Sequence, residues 1–527
     1  MTFNYTVLLV SSVLLVCVMS SKLSYRIGVP VLIVFLGIGM LVGSDGIGFV
    51  YFDNPAIAQY IGSTALAFIL FTGGMDTKWT SVKPVIKSGL VLATVGVLGT
   101  AIFVGVFTYF VTDMTIWEGL LLGAIVSSTD AATVFSILKS KSLNLKGDLV
   151  PLLEFESGSN DPMAYMITVI LVSIITTGES SLIAFILMFT RQMIIGGILG
   201  YVLARLFTLL INYIKLDYDG LYYVFLIATV YLIFAIVSIL DGNGFLAMYV
   251  AGIVFGNTRY IHKRSLIKFF DGQTWLMQIT LFVTLGLLVF PSQLPSVAGK
   301  GLIISSFIIF VARPVCMFIL MSFFEYSFKE KLLVSWVGFR GAASIVFAII
   351  PYMEGLPVAN EIFNIVFFIV LTSVVIQGTL FPIIARKLGL VEMVDDTILT
   401  RSFNEYADEI NGVFAELLVL PNSPMLKKKI VEIKIPQEVL VISIHRDDKY
   451  IVPKGLTMIK ENDKLLVTAE SEEHVKDLEE RFAVKMITNE PSSIDFKGRR
   501  NEFHIVKGDI IKNKRIKIKE KIKNKTS

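Results

Sequence analysis

The sequence predicts an all-α polytopic membrane domain followed by a small cytoplasmic α+β domain. Three observations carry that reading. Of 527 residues 54% are hydrophobic and only 17% charged, with a mean hydropathy of +0.72, whereas a soluble domain carries roughly a quarter charged residues. Apolar runs of roughly 20 residues, the length that crosses the hydrocarbon core as a helix, recur from position 4 to about 386. After about 390 the texture turns alternating and charge-rich. A membrane domain at 1–390 is thus followed by a soluble domain at 402–486 and a basic end at 487–527.

Thirteen membrane segments are expected, over 4–20, 28–43, 56–74, 87–111, 116–138, 150–176, 181–210, 219–240, 244–258, 269–290, 300–323, 331–351 and 360–385. The first lacks a basic n-region and a clear small-residue cleavage site, and Lys22 and Arg26 follow it, so it reads as a retained helix rather than a signal peptide. Connection charges give the orientation. Lys22/Arg26, Lys78/Lys83/Lys87, Lys139/Lys141/Lys146, Lys215, Arg259/Lys263/Arg264/Lys268, Lys329/Lys331 and Arg386/Lys387 follow the odd-numbered segments. Even-numbered segments are followed by Asp, Glu or neutral residues, with Lys300 the lone cation. Positive connections stay inside, which puts the N-terminus outside and the C-terminal domain in the cytoplasm of a bacterial cell, the chain spanning its inner membrane.

An odd count divides into two six-helix halves joined by an extra helix, here the long seventh segment with Arg191. Segment five contains SSTDAATVFSIL (127–138) and segment twelve GFRGAASIVFAII (338–350). Each is a polar, small-residue break ahead of an apolar run, in the fifth place of its half. Paired interrupted helices in corresponding places point to a midplane site between inverted repeats; chance similarity of Ala-rich helices is the other reading.

An ionised side chain at the bilayer centre costs roughly 2.5–3.5 kcal/mol on insertion scales, so such residues are rare and functional. Here they cluster as Asp130, Glu156, Asp161, Arg313 and Arg340, with Glu154 nearer the cytoplasmic end of segment six. Glu156 and Asp161 are five residues apart, about 140° round a helix, so they serve different roles. A carboxylate paired with arginine stays ionised and ties helices together. One left unpaired in a low-dielectric site takes up a proton more readily, and an acid protonated when empty but ionised when holding a cation is an exchanger in miniature. The alternative is that both acids pair with the arginines and pin the bundle. Asn160 adds an amide and no second charge, so one cation replaces one proton. Thr129, Ser157 and the unwound backbone near Asp130 offer oxygens, which suit a hard alkali cation; packing through small polar residues is the alternative for the two hydroxyls. Asp130 serves equally well to compensate the positive helix ends at the break.

Several classes are disfavoured. Cys17 and Cys316 lie inside apolar segments and form no CxxC. His262, His445, His474 and His504 lie outside the membrane segments, and neither HExxH nor GxGD is present, which argues against an intramembrane enzyme. A gated cation channel is the other rival, but TVGYG is absent and a channel needs no deep titratable acid. No catalytic residue, nucleic-acid motif or resident metal site is expected, and the net charge of +4 comes from connections and the last stretch.

GAIVSSTDAATVFSIL (123–138), LEFESGSNDPMA (153–164), FVARP (310–314) and GFRGAAS (338–344), in that order, resemble the NhaP-type cation/proton antiporters, and more closely the potassium/proton antiporters of the bacterial cell-volume-regulation group. The resemblance implies thirteen helices, an inverted repeat crossing at two broken helices, and a homodimer. It implies Asp161 as the cation- and proton-binding acid, with Thr129, the Asp130 backbone and Ser157 near the ion. It also implies a Glu156–Arg313 pair and Arg340 supporting the broken twelfth helix. Many sodium/proton members have Pro after the Thr-Asp, where this chain has Ala131; with the soluble domain, that favours potassium over sodium.

The soluble part is expected to place strands at 413–420, 428–435, 438–453 and 463–470 and a helix at 471–482. Its run IHRDDKYIVPKGLTMIKENDKLLV (444–467) resembles the C-terminal RCK (TrkA-C) regulatory domain, which implies dimerisation and leaves room for a small, nucleotide-type regulatory ligand. A domain that only dimerises is the alternative. No GxGxxG is present, so NAD is not expected as a cofactor. The tail NKRIKIKEKIKNK (513–525) reads as a solvated basic end, with attraction to anionic membrane lipid as the other reading.

Overall fold

The computed structural model describes residues 3–27, 30–48, 50–130, 134, 137–138, 143–178, 181–393, 413–421, 423–436, 438–446, 449–469, 472–482 and 484–486. Two units are distinguished, Met1–Val394 and Asp395–Ser527. The tail at 487–527 lies outside the described residues, as do Ala131–Thr133 within the expected fifth segment.

The first unit is helical. In chain order it contains α1 (Phe3–Ile27), α2 (Val31–Val42), α3 (Pro55–Asp76), α4 (Trp79–Val111), α5 (Ile116–Ile125), α6 (Leu149–Thr177) and α7 (Leu182–Ile214). After these come α8 (Gly220–Ile239), α9 (Gly244–Asn257), α10 (Lys263–Leu288), α11 (Pro291–Met321), α12 (Phe328–Trp336), α13 (Ala342–Met353) and α14 (Ala359–Lys387). Among the described residues eight helices are long and apolar enough to cross a membrane, and α2, α5, α9 and α13 are shorter apolar ones. Local caps account for several starts. Thr115 and Glu118 form a capping box at α5, and Ser327 and Glu330 one at α12.

Three segments differ from expectation. α4, α10 and α11 each begin several residues early, so Lys83, Lys87, Lys263, Arg264, Lys268 and Lys300 lie on helices rather than in connections. At α4 and α10 long basic side chains reach out of an apolar helix end, which apolar runs alone do not register; at α11 the early residues 291–299 are Pro, Ser, Gln and Gly among few apolar ones. The twelfth segment is interrupted where expected: α12 stops at Trp336 and α13 starts at Ala342.

Packing is tight where glycines face each other. Cβ atoms at Gly74 and Gly252 would collide with the backbone of the opposite helix, so α3 and α9 touch main chain to main chain. Rings then lock α3, α9 and α10, with Phe71 centred 5.5 Å from both Phe255 and Phe270. Two large apolar clusters fill most of the interior, beside a small one of Val82, Phe155 and Tyr249. α6 passes from one, at Leu152 and Leu153, to the other, at Met163 and Ala164; the chain entering α13 does the same between Phe339 and Ala342. The buried charges fall at that seam. Strands β1 (Leu143–Leu145) and β2 (Val391–Met393) pair antiparallel, tying the chain ahead of α6 to the chain leaving α14.

The second unit is a five-stranded antiparallel sheet with one helix. Its strands are β3 (Val413–Val419), β4 (Val439–Arg446), β5 (Lys449–Ile451), β6 (Lys464–Ala469) and β7 (Val484–Met486), in the order β5-β4-β6-β3-β7. α15 (Glu472–Phe482) buries Val475 and Leu478 in the apolar cluster of the sheet. The strand expected at 428–435 is instead a single turn, Ile430–Glu432, because Glu432 folds back to accept from the Lys429 N–H (3.0 Å). The run expected at 438–453 is a hairpin of β4 and β5. Arg446 binds Asp463 through two bonds of 2.7 Å, and the Lys460 N–H adds a third.

The α3–α9 approach makes a direct prediction. Gly252→Ala should lower the unfolding midpoint of the purified protein, at a cost of about 1–3 kcal/mol for overpacking. An unchanged midpoint would mean the two helices do not touch at that point.

Candidate functional site

The site is built where two interrupted segments meet. After Ile125, residues Ser127–Asp130 leave helical geometry, and so do Val337–Gly341 between α12 and α13. Irregular backbone in hydrocarbon is tolerated only where protein satisfies its polar groups, and here each break satisfies the other. The Asp130 N–H donates to Phe339 O (2.8 Å), and Arg340 Nη1 donates to Ser128 O (3.0 Å). α14 completes the set: Ser373 Oγ accepts the Arg340 N–H (3.0 Å), and Gln377 Nε2 donates to Trp336 O (2.8 Å). Gly341 permits the close crossing, since a Cβ there would overlap the Asp130 side chain. The Asp130 carboxylate therefore lies against the start of α13, where a helix dipole favours negative charge.

α6 brings the other charges. Glu156 is fully buried and takes Arg313 of α11 bidentately, Nη1 to Oε1 at 2.9 Å and Nη2 to Oε2 at 3.2 Å. Arg313 follows directly on a widened π turn at Ile308–Ala312, ahead of Pro314. Asp161, only 7% exposed, makes no ion pair among the described residues; its Oδ1 accepts a hydrogen bond from Ser128 Oγ. Pro162 follows it and removes the N–H that would close on the Gly158 carbonyl. Thr129 Oγ1 is shared with Ser157 Oγ (3.0 Å) and accepts from Asn160 Nδ2, which also reaches Glu156 Oε1 at 3.5 Å.

A cavity of about 30 Å³ opens on Asp161, Thr129 and Asp130, closed by Leu66 and Ile69 of α3, Gln278 of α10 and Ala342 of α13. That is room for one or two water-sized occupants. Ser157 and Asn160 do not line it; they stand behind Thr129 and hold it. Arg340 is buried, and among the described residues its Nε and Nη2, like Asn160 Oδ1, have no hydrogen-bond partner. The arrangement can hold one proton or one small cation on Asp161, with Glu156 kept out of the exchange by its arginine.

Two contributors went unassigned in the sequence. Ser128 stands next to Thr129 in the same polar break, and nothing in the motif tells which hydroxyl faces the acid. Gln278 had a signal: a lone amide in the apolar run WLMQITLF.

The profile described as sodium/hydrogen exchanger, transmembrane, matches residues 10–387. The chain belongs to the sodium/hydrogen exchanger family. Its soluble unit matches the TrkA-C domain over 414–483. Among curated relatives, K(+)/H(+) antiporter NhaP of Alkalimonas amylolytica is 36% identical over 88% of this chain and 81% of that protein. K(+)/H(+) antiporter NhaP2 of Shewanella sp. (strain ANA-3) is 37% identical over 86% and 79%. The Na(+)/H(+) antiporter NhaH of Halobacillus aidingensis is more distant, 28% identical over 58% of this chain and 77% of that protein. The sodium proton antiporter MjNhaP1 from Methanocaldococcus jannaschii shares the fold, with a TM-score of 0.65 at 22% identity over 74% of this chain and 99% of that one. A sodium/hydrogen exchanger is a multi-pass membrane transporter, not an enzyme, and the channel reading falls with that membership.

The buried pair predicts a coupling. Glu156→Ala leaves Arg313 buried and unpaired, a loss of about 3–5 kcal/mol. Replacing both residues should cost less than the sum of the single changes. Additive losses in a double-mutant cycle would show that the two side chains do not depend on each other.

Proposed function

We propose that this chain is an electroneutral potassium/proton antiporter in which one potassium ion and one proton compete for Asp161. The observation that carries the reading is the division between two buried acids. Glu156 is neutralised by Arg313, whereas Asp161 faces a cavity with Thr129 and Asp130 and no arginine on it. With a single exchangeable carboxylate, each cation taken up displaces one proton, and no net charge crosses. Hydroxyl, carboxylate and carbonyl oxygens suit an alkali cation. Thr129, the Asp130 backbone and Asp161 are its ligands, while Ser157 and Asn160 fix Thr129. Potassium is favoured by the two relatives at 36% and 37% identity, whose names specify it, over the sodium antiporter at 28%.

Alternating access by two inverted six-helix halves is the accompanying proposal, with thirteen passes, the N-terminus outside and the soluble unit in the cytoplasm. Its support is a correspondence of irregularities. The breaks occupy the fifth place in each half, and the fourth place carries a π turn in each, Leu92–Gly96 in α4 and Ile308–Ala312 in α11. A homodimer in the bacterial inner membrane is part of the same reading, and the exposed apolar face of α1 (Tyr5, Leu8, Leu15) is available to lipid or to a second copy.

Asp161→Asn tests the core of the proposal. In vesicles, cation-driven pH change should vanish while the protein remains folded; exchange near the wild-type rate would refute the mechanism. Run with potassium and sodium side by side, the wild-type assay should favour potassium, and equal or better sodium exchange would reassign the ion.

A regulatory role for the TrkA-C unit makes a separate prediction. An effect on transport requires a state that the domain favours or disfavours. Deleting residues after about 395 should leave exchange intact but shift its dependence on pH or on a small ligand of the nucleotide type. A lower unfolding midpoint with an unmoved activity–pH curve would instead mean that the domain only stabilises the assembly.

A further inference from the structure

Among the described residues, Ser128 is the one with a bond to the exchanging carboxylate and a bond to the opposite break. Its hydroxyl donates to Asp161 Oδ1, and its carbonyl accepts from Arg340 Nη1 at 3.0 Å. It is 1% exposed, so both contacts are made away from bulk water. Its neighbours are already committed: Thr129 is tied to Ser157 and Asn160, and the Asp130 N–H to Phe339 O. The charged groups around Asp161 are Asp130 from the Ser127–Asp130 break and Glu156 on its own helix, the latter paired with Arg313 of α11. Arg340 stands across the crossing, while α3 offers only Leu66 and Ile69 and α10 the neutral Gln278.

A hydroxyl donating to Asp161 Oδ1 stabilises the carboxylate most when it is ionised and empty, because hydrogen bonds to an ionised acceptor are the strong ones. A proton on the carboxyl removes the charge and weakens the bond, although the acid keeps acceptor capacity. A cation at the carboxylate draws the same electron density and competes with the hydroxyl. The bond is therefore strongest in the emptied carrier, and it ties α6 to the crossing from which Asp161 has to move if the site is to change sides.

We infer that Ser128 is a positioning residue that locks the emptied, ionised carrier in place, so that only a site loaded with a proton or a cation can reorient. The inference rests on Asp161 being the exchanging acid. It gives the obligatory character of exchange a physical basis: an unloaded return would carry net negative charge across the membrane, and the Ser128 bond opposes it. It also sets a sign that a purely structural serine would not produce. Because the hydroxyl competes with cargo, its removal should tighten binding of both cargoes.

The test uses the full-length protein. Purified Ser128→Ala should bind potassium more tightly than wild type, by on the order of tenfold for a hydrogen bond to a charged group, measured with potassium chloride against choline chloride at equal ionic strength. Its exchange should stay active to higher pH, because the proton also competes better. In reconstituted membranes a potassium jump should give a sustained current, where the wild type gives none. Ser128→Thr, which keeps the hydroxyl, should return the wild-type values. Should the alanine variant fail to fold, Ser128→Cys, with its weak donor, should shift binding the same way by less. Unchanged or weaker potassium binding, or threonine and alanine behaving alike, overturns the inference. Asp161→Asn run in parallel separates the two readings: if it still binds potassium and exchanges, the assignment of Asp161 has failed, and if it is inert while Ser128→Ala matches wild type, only the role of Ser128 has.

Discussion

Two stretches of unwound backbone cross inside an apolar bundle, and most of the site follows from how their polar groups are satisfied. A lone break would leave donors and acceptors in hydrocarbon, at several kcal/mol for each unsatisfied group. Placing the breaks side by side lets Phe339 O take the Asp130 N–H and lets Arg340 reach Ser128 O. The rest of the surroundings serve that contact. Gly341 has no side chain because Asp130 occupies the space, and α14 supplies Ser373 and Gln377 to the remaining main-chain groups. The polar cavity is a by-product: a crossing made of irregular backbone and short hydroxyls cannot pack as densely as helices joined through glycines, and Asp161 borders the gap.

The charges obey an equally simple constraint. With Glu156 and Asp130 ionised, Arg313 and Arg340 balance them, and Asp161 is the one uncompensated charge of the five at the crossing. A site of this kind is neutral when Asp161 carries a proton or a monovalent cation and negative when it carries neither. Moving the loaded form through a low-dielectric interior is far less costly than moving the empty one. In the proposed mechanism, exchange without net current and resistance to empty return come from the same charge count.

Much of this was legible in the sequence because the residues concerned are exceptions to their surroundings. Glu156, Asp161, Arg313 and Arg340 stand out in apolar runs, and the two SSTDAA-like and GFRGAAS breaks interrupt them. Family membership followed from the same words. Other features were not legible because they depend on direction rather than identity. That Ser157 and Asn160 brace Thr129 instead of lining the cavity, and that Ser128 is the hydroxyl on Asp161, depends on which way each side chain leaves a non-helical backbone. Helix starts were misjudged at α4 and α10 because flanking basic residues extend helices that hydropathy truncates, and at α11 because Pro, Ser and Gln lower the hydropathy of 291–299. In the soluble unit, alternation at 428–435 resembled a strand until the Glu432 side chain closed a turn on Lys429.

The central claim is that cation and proton exclude each other at one carboxylate. Calorimetric titration of the purified protein with potassium chloride, in two buffers of different ionisation enthalpy, measures protons released per ion bound. Release should approach one proton per potassium ion at the acid end of the active range, fall as pH rises, and disappear in Asp161→Asn. Potassium binding with no proton release at any pH, or the same release from the asparagine variant, would contradict it.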